Sequence, residues 1–137
     1  MPPKTILVAT RLELLPLVTE IYTKPEFELV FCSTLKDAVA NFHEKIDLIA
    51  CGVHFGEGEI YDLLRLAKAN QKVRHKPFLV IDSSKDELYP AIYQSIEIAS
   101  MALGAHAVIP IRKWRKELGD EKAFEAYRQV LRKALRD

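Results

Sequence analysis

Apolar residues along this chain fall into two alternating kinds of cluster. Short, nearly continuous runs cover Thr5–Ala9, Phe27–Cys32, Ile46–Val53, Phe78–Asp82 and Ala107–Ile111. A run that is apolar at almost every position suits a strand covered on both faces, as in a parallel sheet with helices on either side. Between the runs, apolar residues recur every three or four positions. Leu14, Leu15, Val18, Ile21 and Tyr22 form the first such set, and Leu35, Ala38, Val39 and Phe42 the second. Ile60, Leu63, Leu64 and Ala67 follow, then Ile92, Ile96, Ala99 and Leu103, then Phe124, Tyr127, Leu131 and Leu135. Each set marks one face of a helix.

The punctuation between these sets agrees with the pattern. Pro16 belongs in the first turn of its helix, where a missing N–H does no harm. Ser33 or Thr34 caps the second helix, with Asp37 in its first turn. The third helix runs to about Ala69. Pro90 is placed to open the fourth helix and Gly104 to end it. The last helix spans about Glu121 to Arg136. Pro110 cannot donate to a ladder, which puts the fifth strand at a sheet edge. Five strands alternating with five helices imply a doubly wound parallel α/β sheet with right-handed crossovers. No linker, repeat or low-complexity tract interrupts residues 1–137, which read as one domain.

Composition changes this picture little. A hydrophobic share of 49% and a charged share of 28% are ordinary for a globular protein, and a net charge of +1 gives no global case for nucleic acid or membrane. The charge is uneven: residues 1–111 carry 11 basic and 14 acidic side chains, residues 112–137 carry 9 and 5. The basic stretch Arg112-Lys113-Trp114-Arg115-Lys116, with Arg128, Arg132, Lys133 and Arg136 beyond it, raises nucleic-acid binding. Interspersed acids and the favourable place of cations in a last helix make a solvated face the simpler reading. No apolar stretch approaches the roughly 20 residues of a membrane span. MPPK leads straight into a strand without a signal peptide, so a cytoplasmic protein is expected. Cys32 and Cys51 read as buried free thiols, and His43, His54, His75 and His106 show no ligand spacing, so no metal is expected. GVHFGEGE lacks the lysine and spacing of a phosphate-binding loop, and Glu57 and Glu59 would repel an anion. No cofactor follows.

The order of these motifs carries a resemblance. IDLIACGVHFGEGEIYDLLR resembles the strand-three block of the receiver domains of two-component response regulators. Thr34-Leu35-Lys36-Asp37-Ala38 is similar to the start of that family's second helix, and ASMALGAHAVI to the end of its fourth. The resemblance covers nearly the whole chain and implies a flavodoxin-like sheet of order 2-1-3-4-5. It also implies phosphoryl transfer from a histidine to an aspartate at the end of strand three. That chemistry needs an acidic pair for Mg²⁺ after strand one, a hydroxyl after strand four and a lysine after strand five.

Carried onto this chain, the acceptor falls on Gly52, the acidic pair on Thr10 and Arg11, the hydroxyl on Asp82 and the lysine on Ile111. Arg112 is one residue away from the last, and Val108 replaces the aromatic that reports the family's switch. Neither a glycine nor a threonine–arginine pair supplies the hard carboxylate oxygens that Mg²⁺ takes. The resemblance therefore points to a degenerate pseudo-receiver that is not phosphorylated and is not an enzyme. Arg11 and Asp82 flank Gly52 on neighbouring strands, about 10 Å apart at the backbone. Two arrangements are open: an ion pair crossing the glycine and locking one conformation, or both side chains in solvent.

Ser83 to Gln94 makes the fourth crossover longer than is usual in the family. It carries Tyr89 and Tyr93, residues suited to anchoring an interface; a longer helix is the plainer explanation. The family's partner and dimer surface, made by its fourth helix, fifth strand and fifth helix, makes Tyr89, Tyr93, Val108 and Arg112 the candidate contacts. The expected function is a stand-alone, non-catalytic module acting by protein–protein contact, with a partner or a second copy, in bacterial two-component or phosphorelay signalling. The alternative is a small-ligand-binding domain that uses the crevice above Gly52.

Overall fold

The computed structural model describes residues 2–83 and 88–136. Five parallel strands, β1 (Lys4–Ala9), β2 (Phe27–Cys32), β3 (Leu48–Gly52), β4 (Phe78–Ile81) and β5 (Ala107–Ile109), lie in the order β2-β1-β3-β4-β5. The helices are α1 (Leu15–Ile21), α2 (Leu35–Ala40), α3 (Ile60–Ala69), α4 (Pro90–Ala102), α5 (Ile111–Leu118) and α6 (Asp120–Arg136). Single 3₁₀ turns precede α1 and α3, at Leu12–Leu14 and Phe55–Glu57. The doubly wound parallel sheet expected from the hydrophobic pattern is present.

Alternation along each strand divides the apolar runs between two cores. Leu7 and Ala9 of β1, Ile49 and Cys51 of β3, and Phe78 and Val80 of β4 face the helices α2 and α3, with Ile96 and Leu103 of α4 packed alongside. Ile6, Val8, Leu48, Ala50, Leu79 and Ile81 face α1 and α6 instead. Two-sided coverage explains why the runs show no polar alternation. Thr34 resolves the capping choice: its Oγ1 accepts the Asp37 N–H at 3.1 Å. Pro16 and Pro90 both stand in first turns, and Gly104 at the end of α4 takes a φ of 104°. Cys32 and Cys51 are buried free thiols, and burial raises the pKa of each.

Five expectations need correction. The fifth strand ends at Ile109, so Pro110 follows it; the edge position of β5 stands, for the strand order gives it. Ile111 does not end a strand but opens α5, where it is fully buried against the α1–α6 core. The fourth strand likewise stops at Ile81, one residue before Asp82. Residues 111–118 form a helix of their own, so the described chain has six α-helices rather than five. Finally, Ile92 of α4 is 46% exposed instead of facing the core, and Ser100 is the residue of that helix that is fully buried.

Candidate functional site

The carboxyl ends of β1, β3, β4 and β5 frame a cleft of about 930 Å³. This is where open parallel sheets place their ligands. Its floor is Thr10 and Gly52, and Arg112 of α5 reaches into it. Sequence reasoning put Thr10, Arg11, Gly52 and Arg112 at one sheet end, and the structure gathers those four around the cleft. Ile111 stays beneath, in the core.

A side chain at Gly52 would have to displace Thr10. A Cβ built on it would lie 2.5 Å from Thr10 Oγ1, far inside van der Waals contact, and 3.2 Å from Thr10 Cβ, a tight approach. Thr10 is itself only 5% exposed and its N–H donates to the Cys32 carbonyl at 3.1 Å. A β-branched side chain on a fixed backbone has little rotamer freedom with which to withdraw. The threonine thus occupies the volume that an acceptor aspartate would need. Below it, a cavity of about 30 Å³ reaches between Ala50, Gly52 and Ile81 toward Tyr127.

Neither arrangement expected for Arg11 and Asp82 occurs. Arg11 has its guanidinium 3.9 Å from Glu13, and no Arg11–Asp82 pair forms among the described residues. Asp82 does not point into solvent either, for it is 3% exposed. Its N–H donates to Ile109 and its carbonyl accepts from Arg112, each at 2.9 Å, so its backbone ties β5 and the start of α5 to the end of β4. Pairing with the near neighbour Glu13 costs an exposed arginine less order than reaching across Gly52 to a buried carboxylate.

The basic stretch that looked like a plain solvated face has a place in this site. Arg112, Arg115 and Lys116 all line the cleft. Arg115 is held by Asp120 through two hydrogen bonds of 2.9 and 3.2 Å and lies 5.5 Å over the Phe124 ring. That contact holds the Asp120 carboxyl below the usual carboxylate range and the guanidinium above its own. Gly119, with φ 82°, makes the turn that brings Asp120 back onto α5. The signal for α5 in the sequence was IRKWRKEL itself, whose Ile111, Trp114 and Leu118 recur at helical spacing.

The four candidate interface residues differ in exposure. Tyr89 is 76% exposed beside Pro90, whereas Tyr93 is half-buried and its hydroxyl pKa is raised, chiefly by burial. Val108 is half-buried opposite Val80 of β4, and Arg112 belongs to the cleft. Residues 84–87 of the long Ser83–Gln94 segment lie outside the described residues. Sequence reasoning missed Ile98 and Met101, which are 62% and 47% exposed on α4. They were legible as the apolar residues of that helix left out of phase with its inward set.

No family model and no curated sequence matches the chain. Solved structures do. The receiver domain of a sensor histidine kinase from Pseudomonas aeruginosa, with magnesium coordinated in its active-site cleft, has a TM-score of 0.72 at 12% identity, over 98% of this chain and 99% of that one. A response regulator from Thermotoga maritima gives 0.69 at 19% identity with full coverage of both chains. A phosphorylated cyanobacterial phytochrome response regulator gives 0.67 at 14%, over 93% of this chain and 91% of that one. The chain therefore has the fold of response-regulator receiver domains, around a cleft whose floor is a glycine and a threonine.

Proposed function

We propose that this protein is a non-catalytic pseudo-receiver that works by protein–protein contact in two-component-type signal transduction and is not phosphorylated at the cleft. The observation that carries this reading is the occupation of the acceptor position by the Thr10 side chain, 2.5 Å from where a Cβ on Gly52 would stand. An aspartyl phosphate needs a nucleophilic carboxylate and cations to offset the transferred charge. The Pseudomonas neighbour coordinates magnesium in its cleft; the residues at Thr10, Arg11 and Gly52 offer that ion no carboxylate. Among the described residues, no three His, Cys, Asp or Glu side chains converge as metal ligands. The fold without its chemistry leaves surface as the means of action.

The surface that supports partner contact is α4. Ile92, Ile98 and Met101 expose 46, 62 and 47% of their areas there, and Tyr89, just before the helix, 76%. Ile98 and Met101, three positions apart, lie side by side on the helix, and adjacent exposed apolar side chains are a feature of interaction sites. Incubation with acetyl phosphate and Mg²⁺ followed by intact mass measurement tests the chemistry: the mass stays unchanged, and a gain of about 80 Da, the mass of one phosphoryl group, refutes the reading. Pull-down from source lysate tests the docking: the wild type captures a partner that Ile98→Glu/Met101→Glu loses, and equal recovery by both rejects α4 as the surface.

A further inference from the structure

The described lining of the cleft has the wrong sign for a divalent cation and the right one for an anion. Among the described residues, four cations line it, Arg11, Arg112, Arg115 and Lys116, against two acids, Glu13 and Asp120. Asp82 is buried and does not line the cleft, nor do Glu57 and Glu59, the loop acids that argued against an anion. The two acids do not cancel the set. Asp120 fixes Arg115 in place through its bidentate contact, while Glu13 meets Arg11 only loosely, at 3.9 Å, and Lys116 has no acidic partner among the described residues. A net charge of one sign on a concave, partly low-dielectric surface focuses the field on what enters it. Leu14, Leu17, Val53 and Leu88 supply apolar wall beside the cations. The volume of about 930 Å³ falls in the range of small-molecule sites.

We infer that this cleft binds, without covalent reaction, an organic polyanion: an apolar body carrying two or more phosphate or carboxylate groups. The anionic groups sit between Arg11, Arg115 and Lys116, and the body lies against Leu14, Leu17 and Leu88. This inference does not rest on the docking role of α4, and its test is separate from the pull-down.

Isothermal titration calorimetry of the full chain, at fixed ionic strength and without divalent ions, uses inorganic pyrophosphate, adenosine triphosphate and adenosine as probes. Both anions bind saturably at one site, adenosine triphosphate more tightly than pyrophosphate, and adenosine does not bind. Arg11→Ala/Lys116→Ala weakens binding by about tenfold or more, as loss of charge-assisted contacts should, with an unchanged Tm in the absence of probe. A matched removal of charge elsewhere, Lys36→Ala/Lys72→Ala, leaves affinity unaltered. Absence of saturable binding by either anion, equal losses in the two double variants, or adenosine binding as tightly as its triphosphate overturns the inference.

Discussion

A glycine at the end of a central strand is open to two explanations, a side chain lost or a side chain shut out, and Gly52 belongs to the second. Gly52→Ala should destabilise the protein by about 1–3 kcal/mol, the cost of forcing atoms into a packed interior, although the backbone there is free of positive φ. In a Thr10→Ala background the same substitution should cost markedly less, because the atom 2.5 Å away is gone. Chemical denaturation of the four proteins reads this coupling, and simple additivity would argue against the packing account. Gly52→Asp alone should remain unphosphorylated by acetyl phosphate. A second residue-scale prediction concerns the hydroxyls of Tyr22 and Tyr127, which bond to each other in the core between α1 and α6. Burial raises both hydroxyl pKa values, so the pair stays protonated across the physiological range. Tyr127→Phe strands a buried donor on Tyr22 and should cost about 1–3 kcal/mol, while the double Tyr→Phe change costs less than the single one.

Among the elements, α2 and α4 show how much a short sequence signal can carry. The six residues of α2 are too few to hold a helix by propensity. Its cap at Thr34 and the burial of Ala38 do so, and Thr34→Ala should lower stability by about 1 kcal/mol in thermal melts. Both features were readable from Thr34-Leu35-Lys36-Asp37-Ala38. The fourth helix is less legible, because it has more apolar positions than the core can take. Ile92, Ile96, Ala99 and Leu103 suggested a single buried face, yet the structure half-buries three of them and exposes Ile92. Since Ile98 is 62% exposed, Ile98→Glu should change stability by no more than about 0.5 kcal/mol. A large loss of Tm would mean that this side chain packs internally. Pro110 hid α5 in the same way: read as an edge-strand residue, it stands just before that helix.

Across the whole molecule, two cores lie on opposite faces of one sheet, and on the α1–α6 side surface contacts join distant parts of the chain. Arg132 of α6 grips Glu26, just before β2, through bonds of 2.6 and 2.8 Å. Arg128 donates to the carbonyls of Ile21 and Glu20 at 2.8 and 3.1 Å, closing α6 onto the end of α1. Hydrogen bonding from Arg132 is the largest cause holding the Glu26 pKa below the ordinary value of 4.5. A carboxyl depressed in the folded state stabilises above its unfolded pKa and ceases to do so as pH falls through the folded one. Glu26→Gln should therefore cost under about 1 kcal/mol at neutral pH, given its partial exposure. The gap to wild type should close as acid is added below 4.5, the ordinary glutamate value. A gap that persists in acid would assign the effect to packing.

The sequence alone determined the strands, their parallel order through the resemblance, five of the six helices to within a few residues, and the absence of a carboxylate at positions 10, 11 and 52. Period and composition are local properties, and the chain states them directly. Tertiary structure decided the rest: that Thr10 fills the place above Gly52, that Arg11 turns to Glu13, and that Arg112, Arg115 and Lys116 come over the sheet end. The first and the last of these bring together residues far apart in the chain, which no periodicity encodes. The sign of the cleft belongs to the same class, because it is set by which charges the fold brings together and not by how many the chain contains.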